Sequence, residues 1–371
     1  MKLQRIKSID IFRGLCMIWI ILTHLIDWWL KSEFDWLHSL LIMIFDPIGA
    51  SGLLLISGVS ITLSYRNRIT QIKSENSIQL KKVRNSYFMK GFFIFIIAII
   101  YNSLIAISLK DPVWIWTWFV LLTAAVSTFL TWPLLKTSKL LRIIIGFIIW
   151  VANPFIISLL LPFEGTLSIN GILFHALYHG IHQVPLLVFF PFFLFGTVIG
   201  DILFDVFRID QNEIEKKKIF GYKYLIPSIV IGALFIIFGV LFKIPNFLSR
   251  ESLSWVIYSL GVNIIIISTI LSLEIFEIIK TKRSFKLLFY FSYYSLTIFL
   301  AHNLLHFLFL NQLNPVDIWF FSAAAFVFIS IILRILYKKW QGKASIKVQI
   351  GKLSYSVIMK LDENSDKKSP E

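Results

Sequence analysis

An all-α, polytopic membrane protein is the fold class this sequence predicts, and three observations carry the prediction. Of 371 residues, 57% are hydrophobic and only 15% charged, with 36 Phe and 12 Trp; soluble domains run at about 45–50% apolar and 25% charged. Apolar segments follow one another along the chain, each near the ~20 residues a helix needs to cross the hydrocarbon core. The 36 Lys and Arg are concentrated in alternate connections.

In chain order the expected spans are 9–30, 41–64, 87–109, 113–133, 141–161, 184–206, 224–242, 253–277, 287–310 and 316–337. No small-residue cleavage site follows the first, so it reads as a retained helix. Between the second and third lies the polar, basic stretch 66–86. The fifth and sixth are joined by "LPFEGTLSINGILFHALYHGIHQVP" (161–185), which has no Lys or Arg. "RIDQNEIEKKKIFGYK" (208–223) is basic again. We expect one transmembrane domain over 1–340 and a short polar cytoplasmic tail over 341–371, mobile at its end.

With both termini in the cytoplasm, 31 of the 36 Lys and Arg fall in cytoplasmic segments. Lys31, Lys110, Lys243 and Arg250 fall outside, and Arg13 sits in the first helix. The positive-inside rule accounts for this asymmetry. The net charge of +15 is therefore topological, and nucleic acid is not an expected partner. The single cysteine, Cys16, excludes an intramolecular disulfide and any cysteine-built metal cage.

The first span, "IDIFRGLCMIWIILTHLIDWW", carries Arg13, His24 and Asp27. Eleven residues are close to three helical turns, so Arg13 and His24 share a face about 16 Å apart. Ionisable groups at such depth are costly and mark a site or a polar path. His24 with Asp27 reads as a general base with an orienting carboxylate, or equally as a polar pair holding helices together. Arg13 is an anion site, since guanidinium pairs with phosphate in a fork, or a snorkelling anchor; Asp10 neutralises it or caps the helix.

In this topology all seven histidines lie on the outer side. His38 is in the first outer loop, His175, His179 and His182 are in the long outer loop, and His302 and His306 are in the outer half of the ninth span. The spacing of His175, His179 and His182 puts them on one helical face, a pattern able to bind zinc, but no acidic partner is adjacent and no metal is expected. No phosphate-binding glycine loop, G-x-S-x-G or H-E-x-x-H is present.

Four stretches resemble the heparan-α-glucosaminide N-acetyltransferase-like branch of the integral-membrane acyltransferase superfamily: "RIKSIDIFRGLCMIWIILTHLID" (5–27), "SGLLLISGVSITLSYRNR" (51–68), "PLLVFFPFFLFGTVIG" (185–200) and "YYSLTIFLAHNLL" (293–305). The Arg-x10-His spacing of the first is the most specific. The resemblance implies transfer of an acyl group, usually acetyl, from cytoplasmic acyl-CoA to a carbohydrate or similar acceptor on the outer face. It implies that Arg13 serves acyl-CoA, that His24 is required for transfer, and that His302 is the second histidine. Arg66 and Arg68, just inside the second span, would meet the CoA phosphates. The chain departs from the branch before the mid-chain motif, where "HGIHQVP" stands in place of an acidic residue, and His38 is a rival to His24.

The expected function is thus acyl-CoA-dependent O- or N-acetyl transfer, with acetyl-CoA as co-substrate. His24, Asp27 and His302 are the catalytic candidates, and Arg13, Arg66 and Arg68 the donor-binding ones. His38, His179 and His182 are expected to bind the acceptor, a glycan or lipid-linked glycan. Location is expected in the cell membrane, among lipids, with a homodimer open. Two rival readings are a transporter whose path uses Arg13, Asp27, Asp46, Asn153 and His302, and a zinc-handling protein built on the loop histidines. The charge asymmetry makes a direct prediction. In a background lacking Cys16, an impermeant maleimide applied from outside labels a cysteine at Ser168 and not one at Ser74; the reverse pattern inverts the topology.

Overall fold

The computed structural model describes residues 5–72, 77–179, 183–208, 213–242, 244, 252–278 and 285–366. Among these the protein is helical throughout, apart from an isolated parallel bridge between Leu30 and Leu313. Helices α1 to α8 are Lys7–Trp29, Asp35–Phe45, Ala50–Ile69, Ser77–Leu109, Val120–Leu134, Lys139–Leu160, Ile169–Tyr178 and Leu186–Phe207. Helices α9 to α15 are Glu213–Phe220, Ile226–Leu241, Leu253–Ile275, Lys286–Tyr293, Ser295–Ala301, Asp317–Lys339 and Ile346–Asp366. Eight helical stretches among the described residues are long and apolar enough to cross a membrane. The protein is a polytopic helical membrane protein.

Three of the expected spans are interrupted, 113–133 opening as a 3-10 turn over Pro112–Trp116 and resuming as α5 at Val120. In 41–64, α2 ends at Phe45 and α3 begins at Ala50, because Pro47 cannot donate a helical hydrogen bond. The Pro47 carbonyl left by the break accepts from Ser51 Oγ at 2.5 Å and Asn263 Nδ2 at 2.6 Å. In 287–310 the backbone leaves α-geometry at Tyr294 (φ −99°, ψ 17°) and tightens to a 3-10 turn over His302–Phe307. Ser345 Oγ donates to the Tyr293 carbonyl at this break, at 2.9 Å. Irregular backbone survives at membrane depth only where protein groups satisfy it.

The polar tail expected over 341–371 contains regular structure. Residues 341–344 form a 3-10 turn, and Ile346–Asp366 is a helix with Ile350 and Ile358 buried. Buried Ile350, Ser354 and Ile358 recur every four positions, which gives this helix one side to bury.

The chain divides into two compact units, one of Arg5–Ile56 with Gln211–Lys347 and one of Ser57–Asp210 with Val348–Glu371. In the first, α1 buries Phe12, Cys16, Met17, Ile21 and Leu25. Gly14 sits so near the Leu288 carbonyl of α12 that a Cβ there would collide with it. In the second, α8 is the core, with Val188, Phe192, Leu194 and Leu203 fully buried. Gly58 lets α3 approach the Phe193 carbonyl of α8 as closely. Such small-residue contacts let helix backbones meet where hydrophobicity alone gives no drive to associate. By contrast α4 leaves Ile100, Leu104 and Ile107 more than half exposed. That much outward apolar surface suits lipid, not water.

Candidate active site

Helix α1 runs without a break from Lys7 to Trp29, so Arg13 and His24 do share a face, about 16 Å apart. At the first end, the α1 amides are capped by a residue distant in sequence. Glu274 accepts from the Lys7 and Ser8 backbone N–H groups at 3.0 and 2.7 Å, and from Ser8 Oγ at 2.5 Å. Asp10 is thereby left for cations. It accepts from Arg5 Nε at 2.6 Å and pairs with Arg13 Nη1 at 3.4 Å. Ser292 of α12 completes the cluster, donating to Asp10 at 3.1 Å and accepting from Arg13 at 3.4 Å. Arg13 is buried.

At the other end of α1, residues 311–313 close the helix. Asn311 N donates to the Trp28 carbonyl and Leu313 N to the Trp29 carbonyl, both at 2.8 Å. Trp29 Nε1 donates to the Leu305 carbonyl at 2.8 Å, fixing the 3-10 turn beside α1. His24 and His302 are brought together as a result, with ring centroids 5.2 Å apart. Trp28 stacks on His24 at 5.1 Å and on His302 at 5.7 Å, while His306 meets the Trp28 ring edge-on at 5.2 Å.

His302 Nδ1 lies 2.6 Å from the Phe299 carbonyl. A carbonyl only accepts, so Nδ1 carries the proton and the neutral ring keeps its lone pair on Nε2. That Nε2 is buried and has no hydrogen-bond partner among the described residues. A buried unsatisfied acceptor costs about 1–3 kcal/mol, so this nitrogen gains from any donor that reaches it.

Asp27 pairs with His38, its Oδ1 lying 3.1 Å from Nε2. This hydrogen bond raises the His38 pKa above its ordinary 6.5. The pair borders a pocket of about 380 Å³ that Trp28, Asp35, His306 and Asn311 also line.

The second unit gathers a different cluster. Asp201 of α8 is held by Arg66 at 2.6 and 3.1 Å and by a shorter contact from Arg142 Nη2. Arg66 Nη2 also donates to the Leu135 carbonyl at 3.2 Å, and Arg142 Nη1 to Thr197 Oγ1 at 2.8 Å. Arg142 is fully buried, and Arg68 donates to Ser86 at 3.1 Å. Arg66, expected to meet CoA, shares Asp201 with Arg142. Sequence reasoning passed over Arg142 and Asp201, although a carboxylate inside an apolar span signals a partner.

Of the loop histidines, the His175 and His179 rings lie 4.5 Å apart. Burial lowers both pKa values, and His175 lowers that of His179 further. Trp116 and Trp118 pin their helix by donating Nε1 to the Ala176 carbonyl at 3.3 and 3.0 Å. His182 lies outside the described residues. Asn153, placed on a transport path by the rival reading, accepts a hydrogen bond from Tyr178 at 2.9 Å.

The charged pairs can be tested separately. Asp201→Ala leaves Arg142 buried with no carboxylate, a loss of about 3–5 kcal/mol, read as a large fall in Tm in detergent. An unchanged Tm means that the charge is met elsewhere. The raised His38 pKa gives a stabilisation complete below pH 6.5 and lost as pH rises through the folded value. Asp27→Asn returns the His38 titration towards 6.5 in histidine NMR; an unmoved titration assigns the shift to another neighbour.

No curated protein matches the chain. A family model described as an acyltransferase domain, Acyl_transf_3, matches residues 6–338 and so takes in α1 with Asp10 and Arg13, the Arg66–Asp201–Arg142 cluster and the His24–His302 pair. The chain belongs to this family of membrane acyltransferases.

Proposed function

We propose that the protein transfers an acetyl group from cytoplasmic acetyl-CoA to a hydroxyl or amine of a glycan or lipid-linked glycan on the outer face. The observation that carries this reading is the unpaired lone pair of His302 Nε2, on a ring 5.2 Å from that of His24. A general base must present a bare nitrogen to the proton it removes. His302 does so with its tautomer fixed by the Phe299 carbonyl. The resemblance makes His24 the base and leaves His302 to bind the acceptor or stabilise the oxyanion. A neutral His302 with its proton on Nδ1 has no free N–H to offer an oxyanion, so the geometry favours His302 as proton acceptor and His24 as its partner.

In the reaction, the acceptor O–H or N–H gives its proton to Nε2 as its oxygen or nitrogen bonds to the thioester carbonyl carbon. The C–S bond then breaks, and the departing thiolate takes up the proton. Arg13, about 16 Å away along α1, is in place for a donor phosphate while the thioester reaches the histidines. The pocket beside Trp28 suits the acceptor, since an aromatic face packs on a sugar ring and Asp27 and His38 hydrogen-bond its polar groups. The heparan-α-glucosaminide branch, with its amine acceptor, is the form of this reading that the four sequence motifs support.

Separation along α1 makes the residues fail differently. His302→Ala and His24→Ala should each abolish turnover and leave acetyl-CoA binding nearly unchanged. Arg13→Ala should weaken that binding by about 1.5–3 kcal/mol, the worth of a hydrogen bond to a charged group. Isothermal titration with acetyl-CoA, beside turnover on a panel of glycan amines and alcohols, measures both. Wild-type turnover in His302→Ala removes it as the base. Normal binding in Arg13→Ala makes that arginine a structural member of the Asp10 cluster only.

A further inference from the structure

The family match ends at residue 338, yet the chain continues to a residue that reaches the Arg13 cluster. Four hydrogen bonds fix the approach to α15. Tyr294 Oη donates to the Gln341 carbonyl at 2.7 Å, and Thr297 Oγ1 to that of Ala344 at 3.3 Å. Ser345 Oγ donates to the Tyr293 carbonyl at 2.9 Å, and Ile346 N to Thr297 Oγ1 at 3.1 Å. Tyr293 adjoins Ser292, which already holds Arg13 and Asp10. The chain is thereby delivered to the first end of α1, and the next residue is Lys347.

Lys347 lies within electrostatic reach of Arg13, Asp10 and Arg5. Lys347 is exposed to solvent as a residue, and protein atoms around its ammonium are what lower its pKa. It makes no salt bridge or hydrogen bond among the described residues. Three cations gather around Asp10, with the Glu274 carboxylate of α11 beside them at the α1 amides. Three positive charges against two carboxylates leave a net positive remainder that an anionic phosphate ester would neutralise.

We infer that Lys347, Arg13 and Arg5 form a binding site for a phosphate ester, with Asp10 holding the arginines in register. The identification of that ester as part of acyl-CoA rests on the proposed function; an anionic lipid headgroup carries the same chemistry. Lys347 is the variable member. Burial, and then repulsion from Arg13 and Arg5 against attraction by Asp10, brings its pKa down to about 7. The ammonium is charged below that value and neutral above it, so this contribution to phosphate binding is present at lower pH and lost as pH rises. The charged groups that act on it are Arg5, Asp10 and Arg13, on α1 or its approach.

The test uses the full chain in phosphatidylcholine nanodiscs, titrated with acetyl-CoA at about pH 6 and about pH 8.5, either side of about 7. Lys347→Met should bind roughly tenfold more weakly than wild type at the lower pH, the worth of one charge-assisted contact. Lys347→Arg should match wild type there and bind more tightly at the higher pH, since guanidinium stays charged. The phosphate's own second ionisation, near about pH 6, affects both proteins alike, so their difference isolates Lys347. A parallel arm compares Tm in phosphatidylcholine and phosphatidylglycerol nanodiscs. If acetyl-CoA does not bind but phosphatidylglycerol stabilises wild type and not Lys347→Met, the phosphate site stands and the acyl-CoA reading fails. If Lys347→Met matches wild type in both arms, or Lys347→Arg keeps the wild-type fall with pH, the site is overturned.

Discussion

A helix broken inside a membrane protein leaves carbonyls that lipid cannot satisfy, and the stretch from Lys286 to Phe307 is broken at Tyr294 and again at His302. Most of what defines the candidate site follows from how those breaks are met. Ser345 takes the Tyr293 carbonyl, His302 takes that of Phe299, and Trp29 takes that of Leu305. The first bond delivers Lys347 to Arg13. The second fixes the His302 tautomer, and the third sets that histidine against His24. A continuous helix would have satisfied all three carbonyls internally and removed each of these arrangements.

Charge is handled in the same way in both units. In one, Asp10 lies between Arg5 and Arg13; in the other, Asp201 lies between Arg66 and Arg142. One carboxylate between two guanidiniums leaves a positive remainder in each. The consequences differ with access. Arg142 is wholly buried and bonded to Thr197, which suits a structural tie. Arg5 has a side chain 59% exposed, so the Asp10 cluster is open to a soluble anion. An interior tie matters most through the damage its loss does, whereas an open cluster matters through what it binds.

Much of the candidate site is legible in the sequence because it lies on one helix. The eleven-residue step from Arg13 to His24 fixes their common face once the segment is helical. The unbroken apolar run over residues 15–22 leaves no other structure for that segment in lipid. Pairings across helices are not legible in this way. Nothing in the sequence matches Asp27 with His38 of α2, whose Nε2 lies 3.1 Å from its Oδ1. Position alone makes Arg142 one more cation at a helix end, yet it is buried on Asp201, 59 residues away.

Helical class, the abundance of spanning segments and the single-helix geometry of Arg13 and His24 were determined by composition, by apolar run length and by the helical repeat. These are local quantities, and a bilayer enforces them strongly. Where helices break, which carboxylate serves which arginine, and which histidine nitrogen is left bare were decided by the tertiary structure. Those outcomes depend on bonds between residues up to 284 positions apart, such as Leu313 to Trp29, and no local pattern encodes which distant donor will reach a given acceptor.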